Sequence, residues 1–537
     1  MDTLIEALPL HIGENPSVYA DRVGRWYAAS VPDAHKKNFG QYLTPTEIAI
    51  FMARLCVPTN SDKVRVLDPG AGTGILSCAL CEALADQSQA PNHIVIEAFE
   101  ADIALSKLLY ICLSYLKQWL ELRGIELEFT VRTDDFVITY AESLDDRPRL
   151  IPSISTAVEP FDIVISNPPY FKIPKSDPRA KAASLVVHGQ PNIYALFMAV
   201  SASLLKSGGK LVFITPRSYA AGPYFRLFRK RFFEIMKPET IHLFDSRRHA
   251  FDRDDILQEH VILCARRFEG WTSQTNGETV EISSSTGLNL LTNSVYRSVP
   301  ILDVVDYSSK NKMLRIPLTL EDDETVQMVR SWQGNLHAYN LEISTGPVVP
   351  FRAVNFLSKS GNVPETHAPL LWMQNVTPMS VKWPVEANGK GQYIMVTATS
   401  LQLLVPTKNY VLIRRFSAKE QPRRLTAAPL FAQDVESPFL GLENHLNYIH
   451  RPNGWLTEEE AAGLAVLFNS SLLDDYFRTY NGNTQVSATE LRAMPLPELD
   501  TIVHLGKRAL QTMNSLEEID QMVEETLRLD IRKVGVC

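Results

Sequence analysis

Through the first half of the chain, short apolar runs alternate with longer amphipathic stretches. Residues 64–67, 94–99, 127–131, 163–165 and 210–215 are rich in Val, Ile, Leu and Phe and are bounded by turn residues, as expected of strands buried on both faces. Helical patterns lie between them at 75–85, 103–122 and 192–205. Strands alternating with helices predict an α/β domain built on a mainly parallel sheet, Rossmann-like in its order of elements. Upstream, Thr44 reads as an N-cap, Pro45 as the first helical residue and Glu47 as the partner in a capping box, which predicts a helix to about Cys56. Two further strands, 240–244 and 260–265, flank the turn Asp252-Arg253-Asp254-Asp255. Residues 1–35 show little periodicity.

The pattern changes after residue 270. Residues 270–298 are rich in Ser, Thr, Asn and Gly and read as a linker or variable surface. From about 300 to 500 the runs are short and strand-like, for example 348–354, 371–376 and 410–416, with few long helices. Ser515 caps a final helix whose Leu516, Ile519, Val523 and Leu527 form one apolar stripe suited to packing. A chain of 537 residues exceeds one ordinary core. The expected division is an α/β domain over 1–270 and a mixed α+β domain over 271–537.

Composition narrows the class. Hydrophobic residues make up 45% and charged residues 21%, the proportions of a soluble globular protein. No apolar run is long enough for a membrane span, and Met1 to Pro9 carries two acids and no basic residue, unlike a signal peptide. The cysteines at 56, 78, 81, 112, 264 and 537 are scattered, which suits a reduced, cytoplasmic protein. Cys78 and Cys81 have no second pair to complete a zinc site, so no metal is expected. A net charge of −8 argues against wholesale coating of nucleic acid and leaves local basic patches to be judged separately.

Candidate chemistry collects where the predicted parallel strands end, the edge at which α/β sheets bind ligands. The first strand runs into Asp68-Pro69-Gly70-Ala71-Gly72-Thr73-Gly74. Gly70 and Gly72 let backbone approach a ligand at a helix start. Asp68 would repel a pyrophosphate but accept from an ammonium, which favours S-adenosylmethionine over a dinucleotide. Glu100, with Asp102 just beyond, ends the second strand and suits ribose hydroxyls. In Asp134-Asp135-Phe136 an acid suits the adenine amino group and Phe136 its ring. Gln41, Tyr42 and Thr44 stand before the positive end of the 44–56 helix. The run Ile163-Val164-Ile165-Ser166 is cut off by Asn167-Pro168-Pro169-Tyr170. Adjacent prolines cannot continue a sheet. The Asn167 side-chain oxygen and the Pro168 carbonyl form two fixed acceptors, and Tyr170 an aromatic face. That set suits methylation of an amino group conjugated to a ring or carbonyl, since both N–H donors can be held and the nitrogen made more nucleophilic.

Basic residues gather in two places. Residues 216–253 hold nine Lys or Arg against four acids, with aromatics interleaved. This segment includes Arg247 and Arg248, and Lys172 lies in a basic loop after Tyr170. Phe251 stands at the hairpin tip, where an aromatic is hard to explain as core. Arg414, Arg415, Arg423 and Arg424 form the second group. Basic charge of this density is the footprint of nucleic-acid contact.

Taken together, Gly40-Gln41-Tyr42-Leu43-Thr44-Pro45, Leu67 to Gly74, Glu100-Ala101-Asp102, Asp135-Phe136 and Asn167-Pro168-Pro169-Tyr170 resemble the N6-adenine DNA methyltransferases of restriction–modification systems, in the order of the gamma class. The resemblance is dense over residues 36–268. It implies an S-adenosylmethionine-dependent catalytic domain followed by a DNA target-recognition domain, acting on double-stranded DNA, with a cognate restriction endonuclease as a separate protein. It further implies that Asn167 and the Pro168 carbonyl hold the target amino group and that Tyr170 stacks on the flipped adenine. Phe251 would pack on the other face of that base. Thr44, Gly70, Gly72, Glu100 and Asp135 would contact the cofactor. One departure is that Asp102 is followed by Ile103, where the family usually has Asp-Pro shortly after the acid. Glutamine and RNA amino-methyltransferases share Asn-Pro-Pro-Tyr but are disfavoured by the Gly-Gln-Tyr-Leu-Thr-Pro lead-in and the large second half. A non-catalytic modification subunit is disfavoured by the intact acids, and no fused nuclease is expected.

Overall fold

The computed structural model describes residues 9–32, 34–35, 40, 43–59, 61–145, 159–244, 259–273, 275, 277–285, 296–307, 309–385, 389–418, 420–512 and 515–534. Its first half folds around a nine-stranded sheet in the order β3-β2-β1-β4-β5-β7-β6-β8-β9. The strands are β1 Lys63–Pro69, β2 His93–Phe99, β3 Glu126–Arg132, β4 Phe161–Ser166, β5 Leu205–Pro216, β6 Met236–Phe244, β7 His260–Arg267, β8 Thr279–Ser285 and β9 Arg297–Pro300. From β3 to β5 all neighbours are parallel, and β7 inserts antiparallel between β5 and β6. This is the expected α/β, Rossmann-like architecture.

Helices cover both faces. On one lie α1 Pro16–Ser30, α2 Thr46–Cys56, α3 Ile75–Ala85 and α4 Ile103–Glu121. On the other lie α5 Phe136–Tyr140, α6 Ile193–Leu204 and α7 Arg226–Ile235. Each face contributes its own buried apolar cluster, so the sheet is dry on both sides and its strands read as near-continuous apolar runs. Cys78 and Cys81 lie on α3 and are buried with free thiols, as are Cys56, Cys112 and Cys264. The chain builds β1, β2 and β3 in one direction and then crosses to place β4 on the other side of β1. The carboxyl ends of β1 and β4 therefore flank a topological switch point, where a crevice opens.

Two expectations need correction. α1 is a full helix although its segment shows little periodicity. Among the described residues after 270 the chain is not a linker: β8 and β9 extend the sheet, and Val280, Ile282, Val299, Ile301 and Val304 lie in the core. The Ser-rich composition hid this because Ser283 and Ser285 are themselves buried, bonded at 2.8 and 3.0 Å to the ring of His242 on β6. The first compact unit consequently ends at Leu318 rather than at residue 270, and the second runs from Thr319.

The second unit is mixed α+β. A four-stranded sheet orders Glu342–Thr345, Leu446–His450, Tyr410–Arg414 and Ala427–Leu430. A five-stranded sheet orders Leu357–Ser358, Tyr393–Met395, His367–Leu371, Phe439–Leu442 and Leu404–Pro406. The predicted strand at 348–354 is mostly loop, with one bridge from Val348 to Glu443, while Val348 and Ala353 pack against Ala368, Leu370 and Ile394 of the five-stranded sheet. Helices are more prominent than expected: α8 Leu320–Ser331, α9 Glu458–Asn469, α10 Ser471–Tyr480, α11 Leu499–Thr512 and α12 Leu516–Val534. Helices α9 and α11 cross at Gly463 and Gly506, where a Cβ would fall 1.9 Å from the Ile502 carbonyl oxygen and 1.8 Å from that of Glu459. On α12, Ile519, Val523 and Leu527 are buried as the stripe predicts.

Candidate active site

Strand β4 delivers Asn167 to the switch point. Ser166, its last residue, donates through Oγ to the Pro69 carbonyl at 2.6 Å, fastening the end of β4 to the end of β1. Asn167 Nδ2 then donates to Thr44 Oγ1 at 3.0 Å. This bond explains a departure from expectation. Thr44 does not cap α2, whose N-cap is Pro45 and has no side-chain bond; its hydroxyl is turned to the Asn167 amide. The Tyr170 hydroxyl donates toward Asn167 Oδ1 and lies 2.9 Å from the Ile214 carbonyl. Its ring rests on His260, 5.5 Å between centroids, and meets Tyr194 edge-on. Gly40 explains part of the lead-in sequence: it has φ +60°, and a Cβ there would lie 2.8 Å from Phe171 Cδ1 and 3.1 Å from the Tyr170 nitrogen.

The glycine loop lies beside this point. Gly70 and Gly72 have φ of 78° and 59°. The Gly70 and Ala71 amides donate to the Phe99 carbonyl at 2.9 and 2.8 Å, and the Gly72 amide to Glu100 Oε2 at 3.0 Å. Glu100 Oε1 accepts from the Asp102 amide at 2.9 Å. Burial pushes the Glu100 carboxyl up to about 7. A cavity of about 280 Å³ opens here, bordered by Gly70, Gly72, Glu100, Asp135, Phe136 and Asn167. The structure thus brings together predicted residues from four separate strand ends. Asp135 also caps α5, accepting from the Ile138 amide at 3.0 Å, and Phe136 packs on Phe99 and Phe197.

Two acids go elsewhere. Asp68 is fully buried, does not border the cavity, and accepts from Ser77 Oγ at 2.7 Å; burial raises its carboxyl to about 7. Asp68 is still paired within β1, opposite Ala98, so its side chain points into the sheet's core rather than out of its end. Asp102 caps α4 through the Ala104 amide and accepts from the Tyr27 hydroxyl, with His35 Nε2 at 2.7 Å. It fastens the amino-terminal segment. The wall of the cavity also includes Phe99, Phe171, Ile193, Phe197 and Arg179, which sequence reasoning did not assign. Phe171, directly after Tyr170, was the one with a visible signal.

Of the predicted DNA contacts, Lys172 is exposed, two residues after Tyr170. Tyr42, Arg247, Arg248 and Phe251 lie outside the described residues. In the second unit Arg414 Nε donates to the Val376 carbonyl at 2.6 Å, and Arg415 Nη1 to that of Asn444 at 2.9 Å. Both are half-buried. Arg423 binds the Asn469 carbonyl and Asp520. Arg424 is 1% exposed, with Nη1 on the Asn481 carbonyl at 3.0 Å and on its side-chain oxygen at 2.6 Å. Arg424 is therefore corrected from a DNA contact to an internal fastener.

Comparison with known proteins gives a consistent result. Residues 96–251 match the family described as Eco57I restriction–modification methylases. Over 500 residues the chain is 34% identical to the type II methyltransferase M.BsuBI of Bacillus subtilis, covering 92% of this chain and 95% of that protein. It is 29% identical over 520 residues to the type II methyltransferase M.PstI of Providencia stuartii, covering 96% and 97%. Among solved structures, the type IIG restriction endonuclease BpuSI aligns with a TM-score of 0.42 at 14% identity, covering 95% of this chain and 67% of that one.

Proposed function

This chain belongs to the type II methyltransferases of restriction–modification systems, and from that premise we propose that it methylates N6 of adenine in double-stranded DNA with S-adenosylmethionine as donor. The observation that carries this reading is the Asn167 amide, held at the mouth of the cavity through its NH₂ group by Thr44. With Nδ2 committed to Thr44, Oδ1 is the end that faces a substrate, and it can only accept. The Pro168 carbonyl, fixed between prolines, is the second acceptor. An exocyclic amino group conjugated to a purine has two N–H donors and a delocalised lone pair. Two fixed acceptors match the donors and favour the nitrogen's more tetrahedral, more nucleophilic form. The Tyr170 hydroxyl keeps a partner in the Ile214 carbonyl when Oδ1 is given over to the amino group. The excess proton leaves to water after the nitrogen has become cationic, so no strong base is required.

The cavity fits the donor. Glu100 is held by two backbone amides and retains acceptor capacity for ribose hydroxyls. Asp135 suits the adenine amino group and Phe136 its ring, and the absence of side chains at Gly70 and Gly72 leaves room for close approach. Bound there, S-adenosylmethionine supplies an electrophilic methyl group on its sulfonium. A base inside a duplex cannot reach Asn167, so the target adenine is extruded, at a cost of a few kcal/mol that stacking on Tyr170 helps to offset. Phe251 is assigned to the opposite face of the base, and Lys172, Arg247, Arg248, Arg414 and Arg415 to the DNA backbone and grooves. The second unit is assigned to target recognition. A separate endonuclease cutting the unmethylated site would be the counterpart in the cell. No helix among the described residues is long and apolar enough to cross a membrane.

The test is product analysis. Purified protein is incubated with plasmid DNA, RNA or protein extract and labelled donor, and labelled products are identified after digestion. N6-methyldeoxyadenosine from DNA alone is expected. Label in cytosine, RNA or glutamine contradicts the assignment.

A further inference from the structure

A second, smaller cavity of about 30 Å³ shares Leu43, Gly70, Gly72 and Asn167 with the main one. Among the described residues, its single charged lining residue is Asp21 of α1. This helix lies close over the glycine loop. Thr73 Oγ1 donates to the Ala20 carbonyl at 2.9 Å, and a Cβ on Gly24 would lie 3.2 Å from Leu43 Cδ1 and 3.5 Å from Thr73 Oγ1. Asp21, between these anchor points, is 7% exposed. Its Oδ2 accepts from Thr46 Oγ1 at 3.1 Å and lies 2.8 Å from Arg25, whose side chain is 55% exposed.

S-adenosylmethionine has an adenosine end and an amino-acid end, with the reacting methyl between them. If Glu100 and Asp135 take the adenosine end and the methyl must meet a base at Asn167, the amino-acid end lies beyond Asn167, in the space that the smaller cavity begins. An ammonium carried into so enclosed a place needs an acceptor. Asp68 is fully buried and lines neither cavity. We propose that Asp21 accepts from the α-ammonium of the bound donor, an inference that rests on the cofactor site described above. A carboxylate offers about four acceptor positions, so Asp21 can take an ammonium in addition to partners such as Thr46 and Arg25. The amino-terminal helix thereby becomes part of the cofactor site, and Arg25 is a mild competitor for the same carboxylate from the solvent side.

The test is calorimetry on the full chain with three ligands: S-adenosylhomocysteine, its analogue lacking the α-amino group, and 5′-methylthioadenosine, which lacks the whole amino acid. Asp21→Asn should weaken S-adenosylhomocysteine on the order of 10- to 100-fold, the loss of one charge-assisted hydrogen bond, and leave the other two within about twofold. Equal losses for all three ligands, or no loss for S-adenosylhomocysteine, overturn the proposal. Arg25→Ala covers the case in which Asp21→Asn does not fold, because Arg25 is exposed. It should tighten S-adenosylhomocysteine several-fold and leave the deamino analogue unchanged; an unchanged ratio between the two overturns the proposal. Failure of methylthioadenosine to bind the wild-type protein is a different result: it removes the cofactor site itself, and the role of Asp21 with it.

Discussion

Glu100 and Asp135 stand at the carboxyl ends of neighbouring parallel strands and border one cavity. Arg414, Arg415, Arg423 and Arg424, equally dense in charge, place their guanidinium groups on carbonyl oxygens of their own unit. The difference lies in what topology guarantees. In a parallel sheet every strand ends at the same edge, so a polar residue just past a strand end is carried toward the crevice unless, like Asp102, it is taken up in capping the next helix. A short antiparallel strand gives no such direction. Its arginines turn to whichever face offers acceptors, and a unit made of many short segments has many loop carbonyls to satisfy. Asp68 refines the rule. It lies within β1, still paired with Ala98, whereas Glu100, Asp135 and Asn167 come after the last paired residues of their strands.

The largest test of this contrast falls on the strand-end side. Asn167→Ala should lower turnover on the order of 10²–10³-fold, as for loss of one preorganised contact, with donor affinity unchanged. Single-turnover kinetics beside calorimetry separates the two quantities, and a loss of donor affinity alone would move Asn167 from the chemistry to the pocket.

Next comes the arginine side. Arg424→Ala strips buried acceptors on Asn481 of their donor, and should cost about 2–3 kcal/mol in urea unfolding. Its affinity for DNA, measured where the variant is folded, should be that of the wild type. A variant of normal stability with weakened DNA binding would reverse the assignment.

Glu100→Gln sharpens the acidic half. Burial raises the Glu100 carboxyl from 4.5 to about 7, so its contribution to stability is fully present below pH 4.5 and is lost as pH rises through about 7. Glu100→Gln should flatten that part of the stability profile, worth about 1–3 kcal/mol, while weakening the donor several-fold. A profile identical to wild type would mean that Glu100 is not the titrating group. The smallest effect is expected at Lys172. Lys172→Ala should weaken DNA binding uniformly across sequences and lower the salt slope by about one. A loss confined to one sequence would make it a base reader.

Most of the first unit was legible because its strands are buried on both faces and its candidate-site residues follow strand ends. What escaped was polar residues doing core duty. On α1 the buried positions include Ser17, Asp21 and Gly24 beside Tyr19, Ala20, Val23 and Tyr27, so the apolar stripe is broken on paper though continuous in space. Strand β8 was hidden by Ser283 and Ser285 in the same way. In the second unit, strands as short as Leu357–Ser358 leave no period to count.

The most direct test of the whole account is sequencing, with base-modification detection, of DNA from cells expressing the full chain or its Asn167→Ala variant. The account predicts N6-methyladenine confined to one short sequence in the first and missing in the second. A different modified base, methylation without sequence preference, or an unaltered pattern in the variant would contradict it.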